Sequence, residues 1–232
     1  MLVGCPKYYK YCIESEHWFD QDFIRSHAVL AAHQSHNPKL QVINVATPMQ
    51  DLLPTQCKEL KSNNIDVVSI LYGRIHYCVA VMNATSRIIY IHDGLDLSLH
   101  TWKDHALTLL KRCKLVDLAT PQSFGWTTGS KTMVLQDPCG NWILRPALKS
   151  IPQDNDFDCG PLACLQIMRI FGRVQDNAKL KSMTTLELHT LVVSDCQKLL
   201  HECKEDLPFV KQKTTKGARA EAHLGRRKAQ WR

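Results

Sequence analysis

The chain has 232 residues, 44% apolar and 22% charged, with a formal net charge of +7, which suits a soluble globular domain with a sizeable core and excludes a low-complexity polymer. No apolar run approaches the ~20 residues of a membrane helix, and the start, MLVGCPKYYKYC, lacks the apolar region of a secretory signal. Ten cysteines in such a chain imply free thiols in a reducing compartment, so an intracellular location, nucleus or cytoplasm, is expected.

The charge is unevenly placed. Residues 211–232 hold eight Lys or Arg and one acidic residue, Glu221, which leaves positions 1–210 formally neutral. The expected organisation is one domain over 1–210 and a basic, disordered tail over 211–232. Such a tail is either a segment for polyanion contact and nuclear import or a solvated terminus with no role, and composition leaves both open.

In chain order, residues 17–36 read as a helix. Trp18, Phe19, Phe23, Ile24, Ala28, Leu30 and Ala31 recur at helical spacing, and Asp20 and Asp22 lie in the early turns. His27, His33 and His36 match no metal-ligand spacing, and no metal is expected. A loop with Pro48 and Pro54 leads through a polar, helix-like piece to Asn63-Asn64. Then come three strands: a short one with Val67, Val68, Ile70 and Leu71, a second over His76–Met82 and a third over Arg87–His92.

A turn at Gly73-Arg74 joins the first two strands, and Asn83, Ala84, Thr85 and Ser86 form a four-residue hairpin loop between the others. With Met82 opposite Arg87, that loop puts His76 opposite Asp93. Directly opposed residues have Cβ atoms about 4.5–5.5 Å apart. An aspartate in that position orients an imidazole and stabilises its cation.

Ser98–Leu115 reads as an amphipathic helix through Leu99, Trp102, Ala106, Leu109 and Leu110, with cations near its C-terminal end. A Gly, Ser and Thr-rich loop follows to Gln136. Asp137-Pro138-Cys139-Gly140 then runs into NWILRPAL, which reads as extended, so Cys139 has no helix N-terminus to activate it.

The stretch IPQDNDFDCGPLACLQIMRIF, Ile151–Phe171, is different. A polar turn at Asp154, Asn155 and Asp156 leads into a nearly continuous apolar segment from Gly160, with Pro161 suited to a first helical turn. This is the pattern of a helix buried all round. Cys159 stands at its start, where free amide N–H groups and the positive dipole end stabilise a thiolate. Met183–Cys203 reads as a last amphipathic helix with core candidates Leu186, Leu188, Leu191, Val192 and Leu199.

Together these residues form a nucleophilic constellation. Cys159 is the nucleophile, His76 the general base, Asp93 its orienter, and Gln153 an N–H donor for an oxyanion. The order His, Asp, Cys is no obstacle, because such sites are defined by geometry and role.

His-Tyr at a strand start, IHDGL at the end of the next strand, and PQDNDFDCGPLAC together resemble the Ulp/SENP-type cysteine proteases over roughly residues 17–172. The resemblance implies an α+β, papain-like fold: a small, mostly antiparallel sheet packed by helices, with the nucleophile on a buried central helix. It also implies cleavage of a peptide or isopeptide bond after the C-terminal glycine of a ubiquitin-like modifier, SUMO-like in the first instance, by a monomer without cofactor. His76, Asp93, Gln153 and Cys159 fall on that family's four chemical positions. HWFDQDFI resembles its early segment, where Trp18 matches an aromatic of the tunnel that grips Gly-Gly. Tyr77 stands where the family usually has Trp, Leu71-Tyr72 where a polar residue is usual, and Phe19 and Asp20 where Leu and Asn are common. Two other readings are an acyltransferase with the same His-Asp-Cys site and an inactive modifier-binding domain.

Overall fold

The computed structural model describes residues 19–42, 54–73, 75–116, 126–129, 131–155, 157–174 and 182–203. Trp18 and the basic tail, residues 211–232, lie outside them. In chain order the described elements are α1 (Gln21–Ser35), β1 (Leu40–Val42), α2 (Pro54–Ser62), β2 (Asp66–Gly73), β3 (His76–Asn83), β4 (Ile88–His92), α3 (Leu99–Arg112), β5 (Trp126–Thr128), β6 (Met133–Leu135), β7 (Trp142–Pro146), α4 (Cys159–Ile170) and α5 (Thr185–Glu202). The strands form one mixed sheet in the order β1-β2-β3-β4-β7-β6-β5. Pairing is parallel for β1–β2 and β4–β7 and antiparallel elsewhere.

Successive side chains of a strand point to opposite faces, and β2 and β3 are apolar on both. Val68, Ile70, Tyr77 and Val79 join a core with α1, α4 and α5. Val67, Leu71, Cys78, Ala80 and Met82 join a second core with α2 and α3. The sheet is therefore a buried middle layer, as strands apolar on both faces require. This is the expected α+β, papain-like arrangement.

Helix ends follow their caps. Asp20 caps α1, its carboxylate accepting the Phe23 amide at 2.7 Å. The helix thus starts at Gln21 and not at residue 17, and Phe19 and Asp20 precede it. Thr184 and Glu187 close a capping box at the start of α5. Leu186, expected in the core, is instead 60% exposed because it falls on the solvent side of that first turn.

The hairpin register differs from the sequence expectation. Asn83 pairs with Ile88 and Val79 with His92, so the loop is Ala84–Arg87. Asn83 stays in the ladder: its side-chain oxygen accepts the Ser86 amide at 2.7 Å, and its Nδ2 donates to Asp66 at 2.7 Å. Arg87 takes a left-handed conformation (φ 54°) and becomes the last loop residue. His76 is therefore not directly opposite Asp93. Continuing the ladder places Asp93 across from Cys78, one pair along on the same face. A slip of two residues moves a partner along the strand and leaves its face unchanged.

The Gly, Ser and Thr-rich region contributes a hairpin, β5–β6, that its composition hides. Each strand has three residues, too few for alternation to be read.

Candidate active site

His76 is the first residue of β3 and Asp93 the first after β4, so both stand where the sheet ends. The His76 Nε2 lies 2.8 Å from Asp93 Oδ1, and both side chains are buried. Asp93 is held by three further donors: the amides of Leu95 at 2.9 Å and Leu97 at 3.2 Å, and the indole N–H of Trp102 at 2.8 Å. Burial raises the Asp93 pKa, but the bonds from His76, Trp102 and Leu95 outweigh it and hold the carboxyl below its usual value. The group is an anion aimed at the imidazole.

Burial by itself would lower the His76 pKa. The Asp93 bond and then the neighbouring Cys159 side chain raise it instead to about 9.

Cys159 opens α4, a helix of 12 residues buried over most of its surface. The chain enters that helix tightly. A Cβ at Gly160 would lie 3.0 Å from Phe19 Cβ and 3.2 Å from Ile24 Cδ1, so a glycine there lets α4 close on α1. Cys139, in contrast, is exposed on the loop before β7.

Cys159, Gln153, Tyr77, His92, Gly94 and Gln166 line one narrow cleft that opens to solvent. Gln153 is placed by its backbone N–H, which donates to the Gly94 carbonyl at 2.9 Å. A Cβ at Gly94 would come within 2.8 Å of the Ile151 carbonyl and 3.0 Å of Gln153 Cβ, so that approach also needs glycine. The Gln153 Nε2 donates to the Asn155 carbonyl, and its Oε1 is buried without a partner among the described residues.

Tyr77 is buried, and its ring lies 4.6 Å from that of Tyr72, its direct cross-strand partner. Burial, then Tyr72, raise its pKa, so it stays a neutral phenol. Tyr72 is 38% exposed and carries this aromatic wall out to the surface. The His92 pKa is lowered to about 4 by burial and then by the Arg169 guanidinium, so a second, neutral imidazole borders the cleft.

Of the residues singled out in the sequence, His76, Asp93, Gln153, Cys159 and Tyr77 meet at this end of the sheet. Trp18 lies outside the described residues. Trp102, read as a core aromatic, is core and also the fourth donor to Asp93, with its ring 5.9 Å from that of His76. Only the tertiary fold shows that second role.

No protein-family model matches the chain, and no curated protein matches its sequence. Among solved structures it is similar to the SUMO protease Ulp1 with its catalytic cysteine oxidised to a sulfenic acid: TM-score 0.51, 11% identity, covering 84% of this chain and 82% of that one. The Ulp1-like SUMO protease catalytic domain of Chaetomium thermophilum aligns at 15% identity and TM-score 0.45 over 79% of this chain and 72% of that one. The Chlamydia trachomatis effector Cdu1, bound to ubiquitin, aligns at 13% identity and TM-score 0.41 over 84% and 96%. The first of these carries the assignment, and at such identity it speaks to fold: the chain has the fold of the Ulp-type cysteine protease catalytic domains.

Proposed function

We propose that the protein is a cysteine-type hydrolase that cuts the peptide or isopeptide bond after the C-terminal glycine of a ubiquitin-like modifier. One observation carries the reading: an imidazole held by a buried aspartate neighbours a cysteine at a helix N-terminus, which shares a cleft with a carboxamide donor. His76 takes the proton from Cys159 Sγ, and the imidazolium, stabilised by Asp93, holds the thiolate. The thiolate attacks the glycine carbonyl; the C–S bond forms as the carbonyl electron pair moves to oxygen, where a Gln153 N–H stabilises it. Collapse expels the amine, which takes its proton from His76, and leaves a thioester. Water then attacks the thioester, gives its proton to His76, and releases the glycine carboxylate and the free thiol.

The Ulp-type fold supports a ubiquitin-like modifier as the substrate class, with SUMO the first to test. Tyr77 supplies an aromatic wall for a Gly-Gly stem, which passes because glycine has no Cβ to collide with it; Trp18 is a second candidate by its sequence position alone.

The test is incubation with C-terminal electrophilic probes built on SUMO, ubiquitin and their relatives, followed by intact mass. One adduct on the wild type and none on Cys159→Ala is expected. A folded wild type that binds a modifier but takes no probe would be a binding domain and not a hydrolase.

A further inference from the structure

Asp158 occupies the cap position of α4 yet makes no side-chain bond to the helix's first turn. Its Oδ1 lies 3.2 Å from His189 Nε2, and its Oδ2 accepts from Asn155 Nδ2 at 2.7 Å and Thr185 Oγ1 at 2.9 Å. His189 and Thr185 belong to α5, so the carboxylate next to the nucleophile is bound to a different helix. Asp158 and His189 are both buried. Burial raises the Asp158 pKa, but His189, then Asn155 and Thr185, outweigh it and keep the carboxyl below its usual value.

The network continues toward the reaction centre. Asn155 Oδ1 accepts the amides of Phe157 at 3.1 Å and Asp158 at 2.9 Å, which shapes the turn before Cys159. The Asn155 main-chain carbonyl accepts from Gln153 Nε2. That bond also settles the amide's orientation, since the reverse would set the Gln153 oxygen against another carbonyl oxygen. A carboxamide nitrogen carries two N–H groups, so one is fixed on Asn155 and the second is left for an oxyanion. Hydrogen bonds therefore run without a break from α5 through Asp158 and Asn155 to the oxyanion donor.

From this geometry we infer that Asp158 and His189 form a second histidine–carboxylate pair, a positioning pair that aims the Gln153 carboxamide at the developing oxyanion; the inference rests on the hydrolase reading above. The two pairs divide the work. His76–Asp93 manages the proton, and His189–Asp158 holds the donor for the negative oxygen.

The experiment separates thiol chemistry from oxyanion chemistry in a Cys139→Ala background, which removes an exposed thiol. Iodoacetamide alkylates Cys159 by displacement: the C–S bond forms, iodide leaves, and no oxyanion arises. A short peptide ending in Gly-Gly-aminomethylcoumarin must pass through the tetrahedral oxyanion, and the same peptide ending in glycinal adds to Cys159 to form a hemithioacetal that needs the same donor.

For His189→Ala, kcat for the coumarin amide should fall about 10- to 100-fold with KM within about threefold, as expected for a displaced transition-state donor. The glycinal inhibition constant should rise by a similar factor, while Cys159 alkylation, read by peptide mass, stays within about twofold. His189→Gln, whose side-chain N–H extends to about the position of Nε2, should restore most of the lost kcat, and Asp158→Asn should behave like His189→Ala.

Parallel loss of alkylation and hydrolysis in the folded variants would make the pair merely structural and overturn the inference, as would unchanged kcat in His189→Ala. A wild type that alkylates at Cys159 but neither hydrolyses the amide nor binds the glycinal would instead overturn the hydrolase reading.

Discussion

Apart from the His189–Asp158 pair, two histidine–carboxylate pairs of nearly equal length stand among the described residues. His76 and Asp93 meet at 2.8 Å and His27 and Asp195 at 3.0 Å. The second pair joins α1 to α5, and its carboxylate also binds the Arg173 guanidinium through Nη2 at 2.7 Å and Nε at 3.0 Å. His27 is fully buried, and its Nδ1 has no hydrogen-bond partner among the described residues. The first pair instead neighbours Cys159. A histidine beside an aspartate is therefore not a signature of catalysis. What separates the two is the neighbourhood of the imidazole: a thiol at a helix N-terminus in one case and the core in the other.

The largest effect that tests this contrast is loss of the thiol. Cys159→Ala should abolish probe labelling and lower turnover by at least about 10⁴-fold. Cys139→Ala, which alters an exposed thiol, should leave both unchanged. Labelling that persists in folded Cys159→Ala would dissolve the distinction.

Removing the charge from each carboxylate should then give opposite phenotypes. Asp93→Asn should lower kcat by about 10²- to 10⁴-fold per folded molecule, because the imidazolium loses its orienting anion. Asp195→Asn should leave kcat within about twofold but cost about 3 kcal/mol of stability, since Arg173 and His27 lose their buried partner. Denaturant midpoints and active-site titration read the two quantities separately. Equal kcat losses in both variants would mean that the pairs do not differ as described.

The pH profile sharpens the comparison. His76 is raised from 6.5 to about 9, so its imidazolium should persist through neutrality and kcat/KM should fall on the alkaline side near 9. Because the folded value is raised, the charged form stabilises the fold fully below 6.5, and that contribution is lost as pH rises through about 9. Asp93→Asn should move the alkaline limb to lower pH, and Asp195→Asn should not. A limb that stays in place in Asp93→Asn would assign it to another group.

The smallest expected effect concerns the aromatic wall. Tyr72→Ala should raise KM for a modifier about three- to tenfold, because the exposed ring over Tyr77 is lost without opening a core cavity. Iodoacetamide alkylation of Cys159 should not change. Equal KM for modifiers ending in Gly-Gly and Ala-Ala in the wild type would remove the glycine-gated cleft.

The candidate site was legible where its order is local. Cys159 announces itself by a polar turn followed by an apolar helix, and His76 and Asp93 by the parity of one hairpin. Parity survived although the loop was misplaced by one residue, because Arg87 took the left-handed turn position and the partner moved by two along the same face. What stayed hidden depends on elements far apart in sequence. An indole at Trp102 fits an amphipathic helix whether or not it also binds Asp93. His189 lies among apolar residues of α5, and its partner is 31 residues away. The three-residue strands β5 and β6 carry no period to detect.

The thiols make the two sides of the sheet separately visible to chemistry. Cys139 is exposed, whereas Cys78, Cys113, Cys159, Cys164, Cys196 and Cys203 are buried. Cys78 and Cys113 are packed on the α3 side of the sheet, and Cys164, Cys196 and Cys203 on the α4–α5 side. A buried thiol reacts only as fast as its surroundings open. Timed alkylation followed by peptide mass would thus read two internal clocks in the unmodified chain, one for each core, and show which half of the molecule loosens first when the protein is warmed.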